Sequence, residues 1–210
     1  MNRTMKKRNI KWLSTVAILG AMSAVIMLVK IPLWFAPDFY TLDFSEIPVL
    51  IGAFALGPFA GIAIEAIKVL LNVVLNGSYT MGVGELANFL IGVSLVLPAS
   101  IVYFKHKTKK SAIVGLALGV LFMILVGSIL NAYLLLPFYA FAYHMNVSDL
   151  VAIGTLVNPN ITSLTSFIML AVAPFNLVKG SLVSIIVILI YKRVSFLIKG
   201  KDDEGLESYE

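Results

Sequence analysis

Asn176 and Lys179 are two polar residues near the start of the last apolar segment of the chain. They are three residues apart, so on a helix they share one face. The flanking stretches, 167–173 and 182–190, are almost entirely apolar. An unpaired ammonium at the centre of a membrane helix costs about 2.5–3.5 kcal/mol even on a lenient insertion scale. The lysine therefore needs a partner, and either a polar ligand or a carboxylate would serve.

Asn131 is a third polar residue in the outer part of an apolar segment. Asparagine offers a hydrogen-bond donor and an acceptor, whereas lysine offers donors only, so these three side chains together could read the edge of a heterocycle or an amide. Aromatic residues that could stack on a ring are close by in the sequence, namely Phe175, Tyr133, Phe138 and Tyr139. The alternative is an interhelical hydrogen-bond network without any ligand.

Glu65 and Lys68 form a second polar group, with i,i+3 spacing on a helix, and Asn72 continues the same face. The simpler interpretation is an internal salt bridge that makes the helix tolerable in lipid. Such a pair could instead couple transport to protons, which would make the chain a stand-alone secondary transporter.

The motifs of common enzyme classes are absent from the sequence. It contains no Gly-x4-Gly-Lys-Ser/Thr loop, so it cannot bind ATP in the P-loop manner. There is no cysteine, and two histidines, His106 and His144, make an imidazole metal cluster implausible. We therefore expect a binding protein rather than an enzyme, with neither a metal nor a cofactor.

The composition is typical of an integral membrane protein. Of the 210 residues 60% are hydrophobic and 13% are charged, and the mean hydropathy is +0.96. Basic residues cluster at 3–11, 105–110 and 192–201. Clusters placed this way indicate the positive-inside bias of a membrane protein rather than nucleic-acid binding. All three fall on the cytoplasmic side if the apolar run 47–76 crosses the membrane twice.

Gly57-Pro58 divides that run, since glycine tends to end a helix and proline tends to begin one. The second span, about 47–57, is then shorter than the ~20 residues that a bilayer requires, so it must be tilted, buried among its neighbours or in a thinned bilayer. We predict an all-α integral membrane protein, a six-transmembrane-helix bundle with cytoplasmic N- and C-termini. The membrane domain covers 12–198, between a basic tail (1–11) and a charged tail (199–210).

Three stretches lie outside in this topology, at 32–46, 76–84 and 143–162. Connections as long as the first and third are usually functional, often lids or binding loops. Ser45 or Asp43 could cap the second helix, which would leave Thr41 and the backbone free to contact a solute. The third stretch is expected to contain a short surface helix at 147–157.

Small residues recur at helical spacing in the first span, as Ala17-x3-Ala21 and Gly20-x3-Ala24. Such faces let helices approach closely in lipid. They indicate either packing within the chain or docking onto a separate membrane subunit.

Six blocks of sequence between the first outer stretch and the last span carry a family resemblance. They are Tyr-Thr-Leu-Asp-Phe-Ser-Glu-Ile-Pro (40–48), Gly-Pro-Phe-Ala-Gly (57–61), Glu-Leu-Ala-Asn-Phe-Leu (85–90), Ser-Ile-Leu-Asn-Ala-Tyr (128–133), Leu-Leu-Pro-Phe-Tyr (135–139) and Ala-Pro-Phe-Asn-Leu-Val-Lys-Gly (173–180). Together they resemble the substrate-binding S-components of riboflavin transporters of the energy-coupling factor (ECF) type. The resemblance runs from the first span through the last and leaves out only the tails.

This resemblance implies a six-span vitamin binder in a bacterial plasma membrane, which is open to the outside and works with a transmembrane coupling subunit and two cytoplasmic ATPases. It implies a set of ligand contacts, namely Thr41, Leu42, Asp43, Asn88, Asn131, Asn176 and Lys179. The carbonyl groups of the ligand would then offset the charge of Lys179. The coupling subunit would contact the first span at Ala17 and Ala21, with Gly20 and Ala24 nearby.

The arginines bear on which flavin is bound. A phosphorylated flavin would favour arginine, whose planar fork matches phosphate. Arg3, Arg8 and Arg193 are all assigned to the cytoplasmic side. Riboflavin is therefore favoured over FMN, and another vitamin is the alternative within the family. We expect Lys179→Ala and Asn176→Ala each to weaken flavin binding by about tenfold or more without unfolding the protein.

Overall fold

The computed structural model describes residues 3–78 and 80–199, with side chains for 9–78 and 80–190. Most of the described residues are helical, in nine α-helices: α1 (Arg3–Met27), α2 (Glu46–Leu56), α3 (Pro58–Asn76), α4 (Val83–His106), α5 (Lys109–Leu130), α6 (Leu136–Ala142), α7 (Val147–Val157), α8 (Leu164–Phe167) and α9 (Ala173–Lys199). Two π-helical turns, Asn131–Leu135 and Ile168–Val172, join α5 to α6 and α8 to α9. Two short antiparallel strands, β1 (Ile31–Pro32) and β2 (Thr41–Leu42), pair between α1 and α2.

Five helical stretches in the described part of the chain are long and apolar enough to cross a membrane. They are Asn9–Met27, Pro58–Asn76, Val83–His106, Lys109–Ala142 and Leu164–Ile190. The sixth predicted span corresponds to α2, which has only 11 residues. The chain is thus a multi-pass membrane protein with five long spans, and a crossing by α2 stays a prediction.

The break predicted at Gly57-Pro58 is confirmed. Gly57 has a φ of 107°, a conformation that favours glycine, and Pro58 is the first residue of α3. Helix α2 packs against α1, α3, α4 and α9, so its short apolar length is buried among neighbours. The surface helix predicted at 147–157 is also confirmed as α7.

The structure describes most of the predicted N-terminal tail but almost none of the predicted C-terminal tail. Helix α1 begins at Arg3, so most of the predicted N-terminal tail is helical. The predicted C-terminal tail, 199–210, lies outside the described residues except for Lys199.

The small residues of α1 separate into two faces. Ala17 and Ala21 are exposed on the outside of the bundle. Gly20 and Ala24 are buried, and a Cβ added at Gly20 would lie 2.5 Å from the Ile67 side chain of α3. The assignment of Gly20 and Ala24 to a subunit interface was therefore wrong, because their small size serves close packing of α1 on α3 within the chain.

Apolar side chains form two buried clusters. The larger one joins α1 through α5 with α9, around Leu50, Leu95 and Leu116. The smaller one joins α6, α7 and α8 with the second π-helical turn, around Leu136 and Phe167. Residues packed against each cluster, Ile91 for the larger and Tyr139 for the smaller, line one cavity.

Candidate functional site

A cavity of about 200 Å³ lies at the end of the bundle where α1 and α5 end and α2, α4 and α9 begin. Six of the seven predicted binding residues line it, namely Thr41, Asp43, Asn88, Asn131, Asn176 and Lys179. The seventh, Leu42, is buried and does not line the cavity. Successive strand residues point to opposite faces, so Thr41 on β2 faces the cavity and Leu42 does not.

The partner of Lys179 is the Asp43 carboxylate. Lys179 Nζ lies 2.7 Å from Asp43 Oδ2, and both side chains are buried. The expectation that the ligand's carbonyl groups offset this charge was wrong, because the loop before α2 supplies a counter-ion. One N–H of the ammonium is used by Asp43, and a lysine has three, so two remain for a ligand.

Asp43 also fixes the entry to α2, but not by capping the helix. Its Oδ1 accepts a hydrogen bond from the Ser45 N–H at 3.0 Å and another from the Ser45 hydroxyl. Ser45 makes no side-chain cap bond to α2, so the predicted cap was wrong. Burial alone would raise the pKa of Asp43, but the nearby ammonium groups of Lys179 and Lys68 and these hydrogen bonds lower it to about 2. Asp43 is therefore an anion at neutral pH.

The two asparagines are held in defined orientations by their own helices. Asn131 Nδ2 donates to Gly127 O at 2.8 Å, and Asn176 Nδ2 donates to Val172 O at 2.9 Å. A backbone carbonyl only accepts, so each amide must turn its nitrogen toward the helix. The π-helical turn at Asn131 and the one that ends just before Ala173 widen the two helices beside these amides, a feature frequent at functional sites.

The remaining hydrogen-bonding groups make a donor-rich edge with one unused acceptor. Asn131 Oδ1 accepts a hydrogen bond from the Tyr40 hydroxyl at 2.5 Å. One N–H of Nδ2 donates to Gly127 O, so the second N–H is the group that Asn131 has left for a ligand. Among the described residues no hydrogen bond reaches Asn176 Oδ1, so this oxygen can accept one from a ligand. Lys179 adds its free N–H groups one helical turn further. A group that carries a donor between two acceptors, such as an imide, fits this edge.

Aromatic rings also line the cavity. Phe175 and Tyr139, which were predicted to be near the ligand, line it together with Phe39 and Tyr40 from the loop between β1 and β2. The Tyr40 ring lies 5.4 Å from that of Phe175 and 4.7 Å from that of Phe39. Tyr133 is 82% exposed on the outside, and Phe138 does not line the cavity, so these two predicted neighbours were wrong.

Sequence reasoning missed three lining residues whose signals were available. Tyr40 and Glu46 lie within the 40–48 block, on either side of the predicted residues Thr41 and Asp43. Lys30 lines the cavity from the end of the first span and is exposed. Asn88, by contrast, was predicted, and its Oδ1 is buried without a hydrogen-bond partner among the described residues.

A buried ion cluster lies beside the cavity. Lys68 Nζ is 2.7 Å from Glu46 Oε1 and 2.6 Å from Glu65 Oε1, and all three residues are at most 1% exposed. The predicted Glu65–Lys68 pair is confirmed, and Glu46 of α2 joins it. A Cβ added at Gly92 of α4 would overlap Glu65 Oε1, so a larger residue there would displace this carboxylate. Asn72, on the same helix as Lys68, accepts a hydrogen bond from Asn76 Nδ2 at 2.7 Å.

Comparisons with known proteins give one consistent result. Residues 11–191 match the family described as "ECF transporter, substrate-specific component". The chain is 36% identical over 199 residues to the "Riboflavin transporter RibU" of Staphylococcus aureus, covering 94% of this chain and 97% of that protein. It is 34% identical to the "Riboflavin transporter FmnP" of Bacillus subtilis, covering 87% and 90%.

A solved structure has the same fold. It is described as "Structure and mechanism of the S component of a bacterial ECF transporter" and matches with a TM-score of 0.70 at 34% identity, over 91% of this chain and 99% of that one.

Proposed function

Because the chain belongs to the family of ECF transporter substrate-specific components, we propose that it captures riboflavin outside the cell and delivers it for uptake through an ATP-driven ECF complex in the cell membrane. Relatives at 34–36% identity over most of the chain are named riboflavin transporters, which supports this ligand. Binding and release are then the whole chemistry of this chain.

The observation that carries the proposal is the polar edge formed by Asn131, Asn176 and Lys179. The pyrimidine end of a flavin has two carbonyl oxygens on either side of an N–H. The carbonyls can accept from Asn131 and Lys179, while the N–H can donate to Asn176 Oδ1. The aromatic wall of Phe175 and Tyr139 suits the flat ring system. We therefore assign the flavin edge to these three polar residues, with Asp43 orienting the lysine.

The ends of the helices support an outward-facing site. The cavity lies where α1 ends and α2 begins, so the N-terminus of α1, the turn between α4 and α5 and the end of α9 lie at the opposite end of the bundle. The basic clusters 3–11 and 105–110 and the described part of the third, 192–199, are in those segments. The positive-inside rule then favours a cytoplasmic location for them, six crossings including α2, and a cavity open to the outside.

Riboflavin is favoured over FMN by the placement of arginine. Arg3 and Arg8 belong to the first turns of α1 and Arg193 belongs to the last part of α9, all at the end opposite to the cavity. The residues that line the cavity include no arginine. A phosphate at this site would have to rely on lysine and backbone N–H groups.

The visible spectrum of the purified protein tests the proposed ligand. Protein made in riboflavin-containing cells is expected to be yellow, with the flavin absorption band retained after gel filtration, because the bound chromophore stays intact. Stripped protein should bind added riboflavin and ignore thiamine. A colourless protein that does not respond to riboflavin would overturn the proposal in favour of another vitamin.

We also propose that the exposed face of Ala17 and Ala21 on α1 docks onto the transmembrane coupling subunit, which carries two cytoplasmic ATPases. Two small residues one turn apart on a lipid-facing helix permit close approach of a second helix. The separate burial of Gly20 and Ala24 leaves this outer face free for a partner.

Ala17→Trp is expected to leave riboflavin binding intact and to prevent assembly with the coupling subunit, because the indole ring blocks close contact between the two helices. Assembly is measured by co-purification with the coupling subunit and ATPases on gel filtration. Leu125→Trp is the control, since Leu125 is half exposed on α5 and also faces outward. An intact complex with Ala17→Trp would count against this surface.

A further inference from the structure

Among the described residues, one hydrogen bond joins the β1–β2 loop to Asn131, and Tyr40 makes it. Its hydroxyl donates to Asn131 Oδ1 at 2.5 Å across 91 residues of sequence. Tyr40 itself lines the cavity. Burial, with a smaller contribution from Tyr139, raises the pKa of the Tyr40 hydroxyl, so it keeps its proton and stays a donor.

The ring of Tyr40 is held from several sides. It lies 6.3 Å from the ring of Phe167 and 5.4 Å from that of Phe175, measured between ring centres. Phe39 extends the same cluster, 6.5 Å from Tyr139. These contacts fix the ring independently of the hydroxyl, so a phenylalanine at position 40 can keep the packing and lose only the hydrogen bond.

The hydrogen bond from Tyr40 determines which groups of the Asn131 amide remain free to contact a ligand. Its Nδ2 is already committed to Gly127 O, so the amide cannot turn to find another partner for Oδ1. Without the tyrosine hydroxyl, the buried carbonyl oxygen of Asn131 would lose its partner and would become an unused acceptor at the cavity. The Tyr40 hydroxyl thus decides that Asn131 presents a donor.

We propose that Tyr40 is a specificity-determining positioning residue: its hydroxyl occupies Asn131 Oδ1, so that Asn131 presents only an N–H to a carbonyl oxygen of the ligand. The proposal rests on the proposed flavin site. It adds a residue of the β1–β2 loop that acts through Asn131 rather than by contacting the ligand edge itself. One side chain then links the β1–β2 loop to a residue that reads the ligand edge.

Riboflavin titration of purified full-length protein tests this role. Tyr40→Phe is expected to weaken binding by about tenfold, because Asn131 Oδ1 loses its partner and its free lone pairs then repel the carbonyl oxygen of the ligand. Tyr133→Phe is the matched control, since Tyr133 is in the same π-helical turn as Asn131 but is exposed outside the bundle. This control should bind as the wild type does. Equal affinity of Tyr40→Phe and Tyr133→Phe would overturn the proposal.

The double variant separates positioning from a general structural effect. If Tyr40 acts through Asn131, Tyr40→Phe has no further effect on affinity once Asn131→Ala is present. If the two losses multiply in full, the positioning role is wrong. A wild-type protein that does not bind riboflavin would instead overturn the proposed function.

Hydrogen exchange gives a measurement that needs neither ligand nor the Tyr40 variant. In unliganded protein the backbone amides of residues 33–42 are expected to exchange faster in Asn131→Ala than in the wild type, because the loop loses its hydrogen bond to the π-helical turn that follows α5. Unchanged exchange in this segment would show that the contact does not hold the loop, and would overturn the proposal even if Tyr40→Phe failed to fold.

Discussion

Lys179→Met is expected to destabilise the protein by about 3–5 kcal/mol and to abolish tight riboflavin binding. The loss of stability comes from Asp43, whose buried carboxylate would keep its charge without the ammonium 2.7 Å away. The loss of binding comes from the missing donors at the flavin edge. Thermal unfolding in detergent and riboflavin titration measure the two effects separately. The structure thereby revises the expectation from sequence that the protein would stay fully folded without this lysine.

A second substitution distinguishes the two roles of Lys179. Asp43→Asn combined with Lys179→Met removes both charges, so most of the lost stability should return. Binding should stay weak, because no ammonium faces the ligand. If the double variant binds as well as the wild type, Lys179 is only a structural partner of Asp43. If Lys179→Met alone is as stable as the wild type, the buried pair contributes nothing.

The pH dependence of the same pair has a defined sign. The pKa of Asp43 is about 2 in the folded protein, below its ordinary value of 3.8. A carboxyl group whose pKa is lower in the folded than in the unfolded protein stabilises the fold. This stabilisation is fully present at a pH above the unfolded-state pKa and is lost as the pH falls toward the folded-state pKa. The pair should therefore stabilise the protein equally at pH 5 and pH 8, and its contribution should disappear between about pH 4 and pH 2.

Local sequence patterns predicted much of this architecture. The Gly57-Pro58 break, the helix at 147–157 and the Glu65–Lys68 pair each depend on residues at most four positions apart or on one element. The convergence of Asn131, Asn176 and Lys179 was also predicted, because polar groups in apolar segments must face an interior. The break follows from the helix-ending and helix-starting tendencies of glycine and proline, the ion pair from helix periodicity, and the convergence from the cost of polar groups in lipid.

The partners across the bundle could not be predicted in the same way. Asp43 and Lys179 are 136 residues apart, and Tyr40 and Asn131 are 91 apart. Which carboxylate reaches which lysine depends on how the helices pack around α2, and periodicity carries no information on that. For the same reason Gly20 and Ala24 were placed on the outer face of α1, although Ile67 covers Gly20.

Lys68→Met should have the largest effect on stability of any single substitution considered, because Lys68 holds two buried carboxylates. Without it Glu46 and Glu65 would lie close together, both fully buried, with no cation between them. Breaking a single buried ion pair already costs about 3–5 kcal/mol, and here one substitution breaks two. We expect little folded protein after purification, and a strongly lowered unfolding temperature for what is recovered.

Glu65→Gln tests this explanation, since it removes one carboxylate and leaves Lys68 paired with Glu46 at 2.7 Å. One buried cation then faces one buried anion, and the amide of glutamine keeps the shape of the side chain next to Gly92. This variant should lose much less stability than Lys68→Met in the same unfolding experiment. Lys105→Met, at an exposed lysine at the end of α4, should have almost no effect. If Lys68→Met behaved like Lys105→Met, the charge of Lys68 would not be what holds α2 and α3 together. If Glu65→Gln were as damaging as Lys68→Met, the cluster would depend on both carboxylates rather than on a cation shared between them.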